Sequence, residues 1–400
     1  MTEVYIYEAL RTPRGKAREA GTLADVAPVE LVRQLVGALR ERHGEAACEV
    51  EHLTLGCVGQ VGAQGGHIAL VSKLYANLPE QASAWSLNNY CTSGLTAVAA
   101  TADRIAAGSV GLALAGGVEN MSQVPFMGDK ASYYSDPAFS ASLHYLPPAL
   151  SADLLADREG LDRAALDAIT LASHARAVSA ETEGHQGRRI PVTGAEGTVV
   201  LARDEYVRDG LSAEALAGFE PAFGGLIKAY APVLKSALGL EALAARHAVV
   251  HCPGMADGAG LALLGSAEAG RRAGLRPAFR VRAHAEAGGD PVLGLTAGRT
   301  AMERVLAAAG LTLGEIDVIE YMEAFAVVPA LFLRDCDVDP ARVNVLGGHV
   351  AKGHPLGASG AILLSTLLDA MDAREARTGL VVAAAASGIG SAIVLERVDA

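Results

Sequence analysis

Four hundred residues, 51% of them apolar and 20% charged, are ample for a large buried core and for two or more domains. A formal charge of −12 argues against a nucleic-acid or anionic-membrane face, while a local basic pocket for a phosphorylated ligand stays compatible with it. Aromatics are only 4% against 45 glycines, so helices and strands must approach closely through small side chains.

The opening MTEVYIYEALRTPRGK lacks the charge, apolar run and cleavage site of a signal peptide, and no uninterrupted apolar stretch reaches about 18 residues. A cytoplasmic protein is expected. Cys48, Cys57, Cys91, Cys252 and Cys336 form no CxxC pair and no zinc-ligand spacing, so neither disulfides nor a metal is expected.

In chain order, short Val/Ile/Leu runs alternate with Ala-rich segments. Strands are predicted at VYIYEAL, EHLTLGCV, WSLNN, VGLALAGG, GLALLGS, FRVRAHAEA, DVIEYMEA, VNVLG, GLVVAAAAS and AIVLERV. Helices are predicted over 29–42, 94–107, 298–309, 324–335 and 356–372, the last two apolar around most of their circumference and so read as buried and central. That rhythm indicates an α/β protein with largely buried strands. CTSGLTAVAATADRI leading to VGLALAGG is echoed by GASGAILLSTLLDAM leading to GLVVAAAASG, which suggests two halves of one topology, though Ala/Gly-rich segments also resemble one another by chance. Residues 119 to about 256 break the rhythm and read as an insertion, and GLRPAF at 274–279 marks a junction between a first half, 1–273, and a second, 274–400.

Cys91 follows the strand WSLNN and precedes TSGLTAVAA, at a strand-to-helix turn. A helix N-terminus favours thiolate, and its free N–H groups suit an oxyanion, yet such a cysteine can equally be a small buried hydrophobe. His354 is held between Gly353 and Pro355 ahead of a long apolar helix; it could shuttle a thiol proton or be structural. Glu119 reads as a buried, hydrogen-bonded acid, and His251, Cys252 and Cys336 as ordinary packed residues.

NNYCTSGLTAV, GGVENMS, EAFA and GGHVAKGHPLGASG occur in the order and spacing of thiolases, with RTPRGK near the start, DEYVRDG at 204–210 and PAF at 221–223. The chain is identified as a member of that family over nearly its whole length. The resemblance implies a five-layered αβαβα fold of two similar halves, with a loop domain at about 119–256 covering coenzyme A. It implies Cys91 as nucleophile, His354 as its activating base, and an oxyanion hole of the backbone N–H groups of Cys91 and Ala386. It also implies Arg208 as a contact to the adenine end of the substrate, and a homodimer or homotetramer.

The departures are specific. Where thiolases carry a second, proton-moving cysteine this chain has Ala384, and where they carry the asparagine of Asn-Glu-Ala-Phe it has Met322, whose thioether cannot donate a hydrogen bond. A His-Met pair in the loop domain aligns with Pro147 and Pro148, and a pantetheine-binding serine with Pro253; the stretch from Phe223 to Asp257 is lengthened by GLIKAYAPVLKSALGL. The expected activity is therefore acyl transfer through an acyl-cysteine from a coenzyme A or carrier-protein thioester, with no tightly bound cofactor. The alternatives are a 3-ketoacyl-CoA thiolase using a substitute base such as His349 or Cys252, and a degenerate subunit serving as a partner in a complex.

Overall fold

The computed structural model describes residues 2–194 and 196–398. In chain order its main elements are β1 (Tyr5–Arg11), α1 (Pro28–His43), β2 (His52–Gly56), α2 (Ile68–Tyr75), β3 (Ser83–Leu87), α3 (Ser93–Ala106), β4 (Leu112–Asn120), α4 (Pro148–Arg158), α5 (Arg163–Thr182), α6 (Gly224–Leu238) and β5 (Ala256–Gly265). There follow β6 (Phe279–Gly288), α7 (Ala297–Ala309), β7 (Val318–Tyr321), α8 (Val327–Asp335), α9 (Ser359–Ala373), β8 (Thr378–Ala385) and β9 (Ile389–Arg397).

The strands run in the spatial order β7-β8-β9-β6-β1-β5-β4-β2-β3, with the two-residue strand Gly15–Lys16 paired to β5 as a tenth. Read outward from the β1/β6 junction, the two sides match. β1 and β6 each lie antiparallel to the last strand of their half, β5 or β9; that strand is antiparallel to β4 or β8, which is parallel to β2 or β7. The repeat is therefore a shared topology. Among the described residues, Tyr5 pairs with Arg280 and Ile6 with Phe279 across the junction.

Helix α1 packs on β5, β4 and β1, and α7 on β9, β6 and β8, which makes them the two outer layers. Between the half-sheets lie α3 and α9, each touching strands of both halves and each other. The result is the αβαβα stack. Glycine allows the central pair to meet: a Cβ at Gly94 would stand 2.8 Å from the Ala361 backbone nitrogen, and one at Gly360 would stand 2.4 Å from that of Leu95.

Two sequence expectations change. VNVLG forms no strand; Val343 makes one isolated bridge to Ile319, because Asn344 adopts φ +49° and spends its side chain on the Tyr321 backbone. The helix predicted at 324–335 starts at Val327 and packs on α4 and α5, so it is not central; its last residues, Arg334 and Asp335, are exposed. The helix predicted at 356–372 is buried and central as expected: Leu356–Ala373, long and apolar enough for a bilayer by composition, is 83% buried.

Candidate active site

Cys91 sits between β3 and α3 on a turn pinned from several sides. Tyr90 takes a left-handed φ of +48°, a conformation that costs energy in a non-glycine residue unless its neighbours enforce it. They do: Ser93 Oγ donates to the Tyr90 carbonyl at 2.6 Å and accepts from the Asn89 N–H at 2.8 Å, and Thr92 Oγ1 donates to the Asn89 carbonyl at 2.7 Å. The Cys91 sulfur lies against its own backbone N–H and that of Ala386, beyond the end of β8.

His354 is fixed by a second set of bonds. Its backbone N–H donates to the Gly254 carbonyl at 2.8 Å, Arg14 Nη1 donates to the Gly353 carbonyl at 2.9 Å, and its Nδ1 is 2.7 Å from Ser359 Oγ at the start of α9. Glu323, buried beneath the turn, accepts from the Val350 N–H at 2.9 Å, Ser173 Oγ at 2.8 Å and Asn344 Nδ2 at 3.0 Å. The glutamate of MEAFA thus anchors the segment bearing the histidine.

Burial governs the electrostatics. It pushes the Cys91 thiol up to about 12, helped by the Glu119 charge and opposed by the two backbone N–H groups. The helix N-terminus expected to favour thiolate is outweighed, because a desolvated sulfur loses more than two N–H dipoles return. Burial, with the Arg14 guanidinium, pulls His354 down to about 3, so its imidazole is neutral. Glu119 accepts from the N–H groups of Val58, Gly59 and Gly357, each at 2.9 Å, and from Gln64 Nε2 at 2.8 Å. Its oxygens are occupied, as suits a structural acid.

Cys91, His354 and Ala386 line one cavity of about 550 Å³. Pro147, Pro148 and Pro253 line it too, as do Phe223, Leu226 and Tyr230 from the start of α6, the helix formed by the lengthened segment. Three predicted positions lie elsewhere. Met322 and Ala384 are enclosed in the core and are not on the wall, Met322 with its backbone N–H on the Val382 carbonyl. Arg208 is exposed, with its guanidinium 5.9 Å from the Phe219 ring centre, and is not on the wall. His349 is fully buried off the wall, its ring 5.1 Å from that of His354 and both its nitrogens unpartnered. Cys252, read from sequence as an ordinary packed residue and, in the thiolase alternative, as a candidate substitute base, is on the wall with Cys91, because the turn that bonds His354 through Gly254 brings it there.

Sequence reasoning missed the roles of Ser359 and Arg14. Ser359 stands five residues after His354 inside a quoted motif, a separation that carries no signal until Pro355 and Gly357 turn the chain back. Arg14 lies in the charged stretch RTPRGKARE, where nothing local separates it from Arg11, Lys16 or Arg18.

Residues 4–230 match the family model of the thiolase N-terminal domain and 275–397 that of the thiolase C-terminal domain. The chain is 34% identical to an acetyl-CoA acetyltransferase of Paracoccus denitrificans over 99% of its own length and 100% of that protein. It is 33% identical to the steroid 3-ketoacyl-CoA thiolase FadA6 of Mycobacterium tuberculosis, over 99% and 95%, and 34% identical to a beta-ketoadipyl-CoA thiolase of Pseudomonas putida, over the whole of both. The crystal structure of the Bacillus anthracis acetyl-CoA acetyltransferase superposes with a TM-score of 0.84 at 26% identity, over 100% of this chain and 99% of that one. The chain belongs to the thiolase family and is an acyltransferase of the thiolase type.

Proposed function

We propose that the protein carries its acyl group as a thioester on Cys91 and does not run the ordinary carbon–carbon chemistry of a thiolase. The observation that carries this reading is the Cys91 sulfur set against two backbone N–H groups, in a cavity it shares with a neutral, hydrogen-bonded His354. In the tautomer that donates Nδ1–H to Ser359 Oγ, Nε2 is the free base. Cys91 Sγ bonds to the carbonyl carbon of an acyl thioester, the thiol proton passes to His354, and negative charge gathers on oxygen facing the Cys91 and Ala386 N–H groups. The tetrahedral species then expels the donor thiolate, which takes the proton from His354. A thiol held near 12 and an imidazole held near 3 do not form an ion pair beforehand, so the proton moves as the new carbon–sulfur bond forms.

Enolate formation needs a base and a polarised second carbonyl. Ala384 supplies neither, and Met322 has no donor for the second carbonyl. The acceptor is then an amine, alcohol or thiol, or a carbon nucleophile made by decarboxylation or already electron-rich. A second reading, 3-ketoacyl-CoA thiolysis with a substitute base, rests on Cys252 sharing the cavity wall; burial pushes its thiol up, which suits a group that must hold a proton more than one that must remove it.

Arg208, exposed beside Phe219, is the proposed contact to the distal end of a coenzyme A donor. We also propose self-association through α2 and the edge strand β3, where Leu74, Tyr75 and Trp85 are exposed at 58, 50 and 46%. Intact-protein mass spectrometry with acyl-CoA and acyl-carrier donors tests the central reading: one acyl mass should appear, absent from Cys91→Ser. Equal labelling of that variant assigns the reactivity elsewhere.

A further inference from the structure

The chain holds ten Tyr, seven Phe and one Trp, and seven of these 18 aromatic side chains line the Cys91 cavity. So strong a concentration in a chain with few aromatics shapes what the cavity can accept. Tyr145 is the centre of the group: its ring stands 4.9 Å from Tyr133, edge to face, and 6.2 Å from Tyr134, while Tyr90, beside the nucleophile, and Tyr230 on α6 are close enough to raise its phenol. Phe325, following the Glu323 anchor, lines the same cavity.

Among the described lining residues there is no lysine or arginine, and the carboxyl groups are Glu119 and Asp129. Glu119 is fully engaged by backbone and Gln64 donors, and Asp129 accepts from the Tyr134 hydroxyl. A second negative charge entering this space meets no counter-ion and is repelled.

Resting on the acyl-cysteine reading, we infer that the acyl group this site takes is uncharged and ring-bearing, an aryl or alicyclic acyl thioester, and that Tyr145, Tyr230 and Asp129 set this preference. A ring offers its faces and edges to the surrounding tyrosines in the offset or perpendicular arrangements aromatic pairs favour, whereas a straight chain of equal carbon number must give up rotamer freedom to fill the same volume. The step selected is the one already balanced: the carbon–sulfur bond to Cys91 forms, the bond to the donor sulfur breaks, and the Cys91 proton leaves on the released thiol.

Single-turnover acylation of Cys91 in the full-length protein, followed by intact mass, tests this with pairs matched in carbon number. Phenylacetyl-CoA should load about 10-fold faster than octanoyl-CoA, a difference of the size specific aromatic contacts give. Succinyl-CoA should load about 100-fold slower than butyryl-CoA, as a like charge without counter-ion implies. Tyr230→Ala should shrink the first ratio and Asp129→Asn the second, each checked by an unchanged melting temperature. If octanoyl-CoA matches phenylacetyl-CoA, or succinyl-CoA matches butyryl-CoA, in the wild type, this inference is overturned and the acyl-cysteine reading stands. If no donor acylates Cys91, the acyl-cysteine reading itself fails and this inference fails with it.

Discussion

His354 Nδ1 lies 2.7 Å from Ser359 Oγ, and both side chains are buried at the head of α9, so the rotation of the imidazole is set by the helix that separates the two half-sheets. Ser359→Ala removes the hydrogen-bond partner and leaves the ring free to turn. Because a misplaced base costs on the order of 10²-fold, acylation of Cys91 should fall by about that factor with little loss of stability. Ser359→Thr should restore part of it. Unchanged single-turnover rates in Ser359→Ala would remove the orienting role.

The raised thiol of Cys91 has a signature in pH. With a pKa pushed up to about 12, the sulfur is protonated near neutrality, and its thiolate fraction climbs tenfold per pH unit toward that value. Alkylation of Cys91 by iodoacetamide, read by peptide mass spectrometry, should keep rising from pH 7 to pH 10. A plateau near pH 7 would mean a preformed thiolate.

Several buried histidines tie stability to acid. His354 is pulled to about 3, His52 and His174 to about 4, and His349 well below its usual value, all mainly by burial. A folded pKa below the unfolded value of about 6.5 means that, as pH drops, the unfolded chain takes up protons the folded chain refuses. Stability from these groups is thus complete above about pH 6.5 and is lost as pH falls toward 4. Urea midpoints should decrease steadily from pH 7 to pH 4.5; a flat profile would place these rings in contact with water.

Asp204 holds an interior cluster together. Arg11 grips it with Nη1 and Nη2, each at 3.0 Å, and Arg14, Arg189 and Lys352 add positive charge around it. Asp204→Ala leaves the buried Arg11 guanidinium without the carboxylate it grips, so the loss should be about 3–5 kcal/mol in chemical denaturation, as when one partner of a buried pair is removed. A loss below about 1 kcal/mol, the range of surface pairs, would contradict this.

Ala384 and Met322, which the resemblance sets at the positions of the second cysteine and the asparagine, should separate two steps that thiolases join. Acylation of Cys91 should be measurable, while conversion of acetoacetyl-CoA plus CoA to acetyl-CoA should run far below an ordinary turnover of about 1–10³ per second. An ordinary rate in purified wild type would overturn the acyl-transfer reading in favour of a substitute base, with Cys252→Ser the next variant to assay.

The sequence by itself determined the α/β class and the family, and the layers followed only as what the family resemblance implies. Apolar runs of strand length and Ala/Gly-rich helices need only local periodicity, and the small-residue starts of α3 and α9 already encode two helices that must touch. It also placed Cys91 and His354 at strand-to-helix turns, and the family resemblance singled them out as candidates. What it could not decide was which residues share a surface. VNVLG reads as a strand until Asn344 turns, the 324–335 helix reads as central until α4 and α5 cover it, and Met322 and Ala384 fall off the cavity wall while Cys252 falls on it. Nor could local sequence set the charge states of Cys91 and His354. A helix N-terminus argues for thiolate, but the protonation of Cys91 depends on how much water the assembled tertiary structure leaves around its sulfur, and there burial prevails.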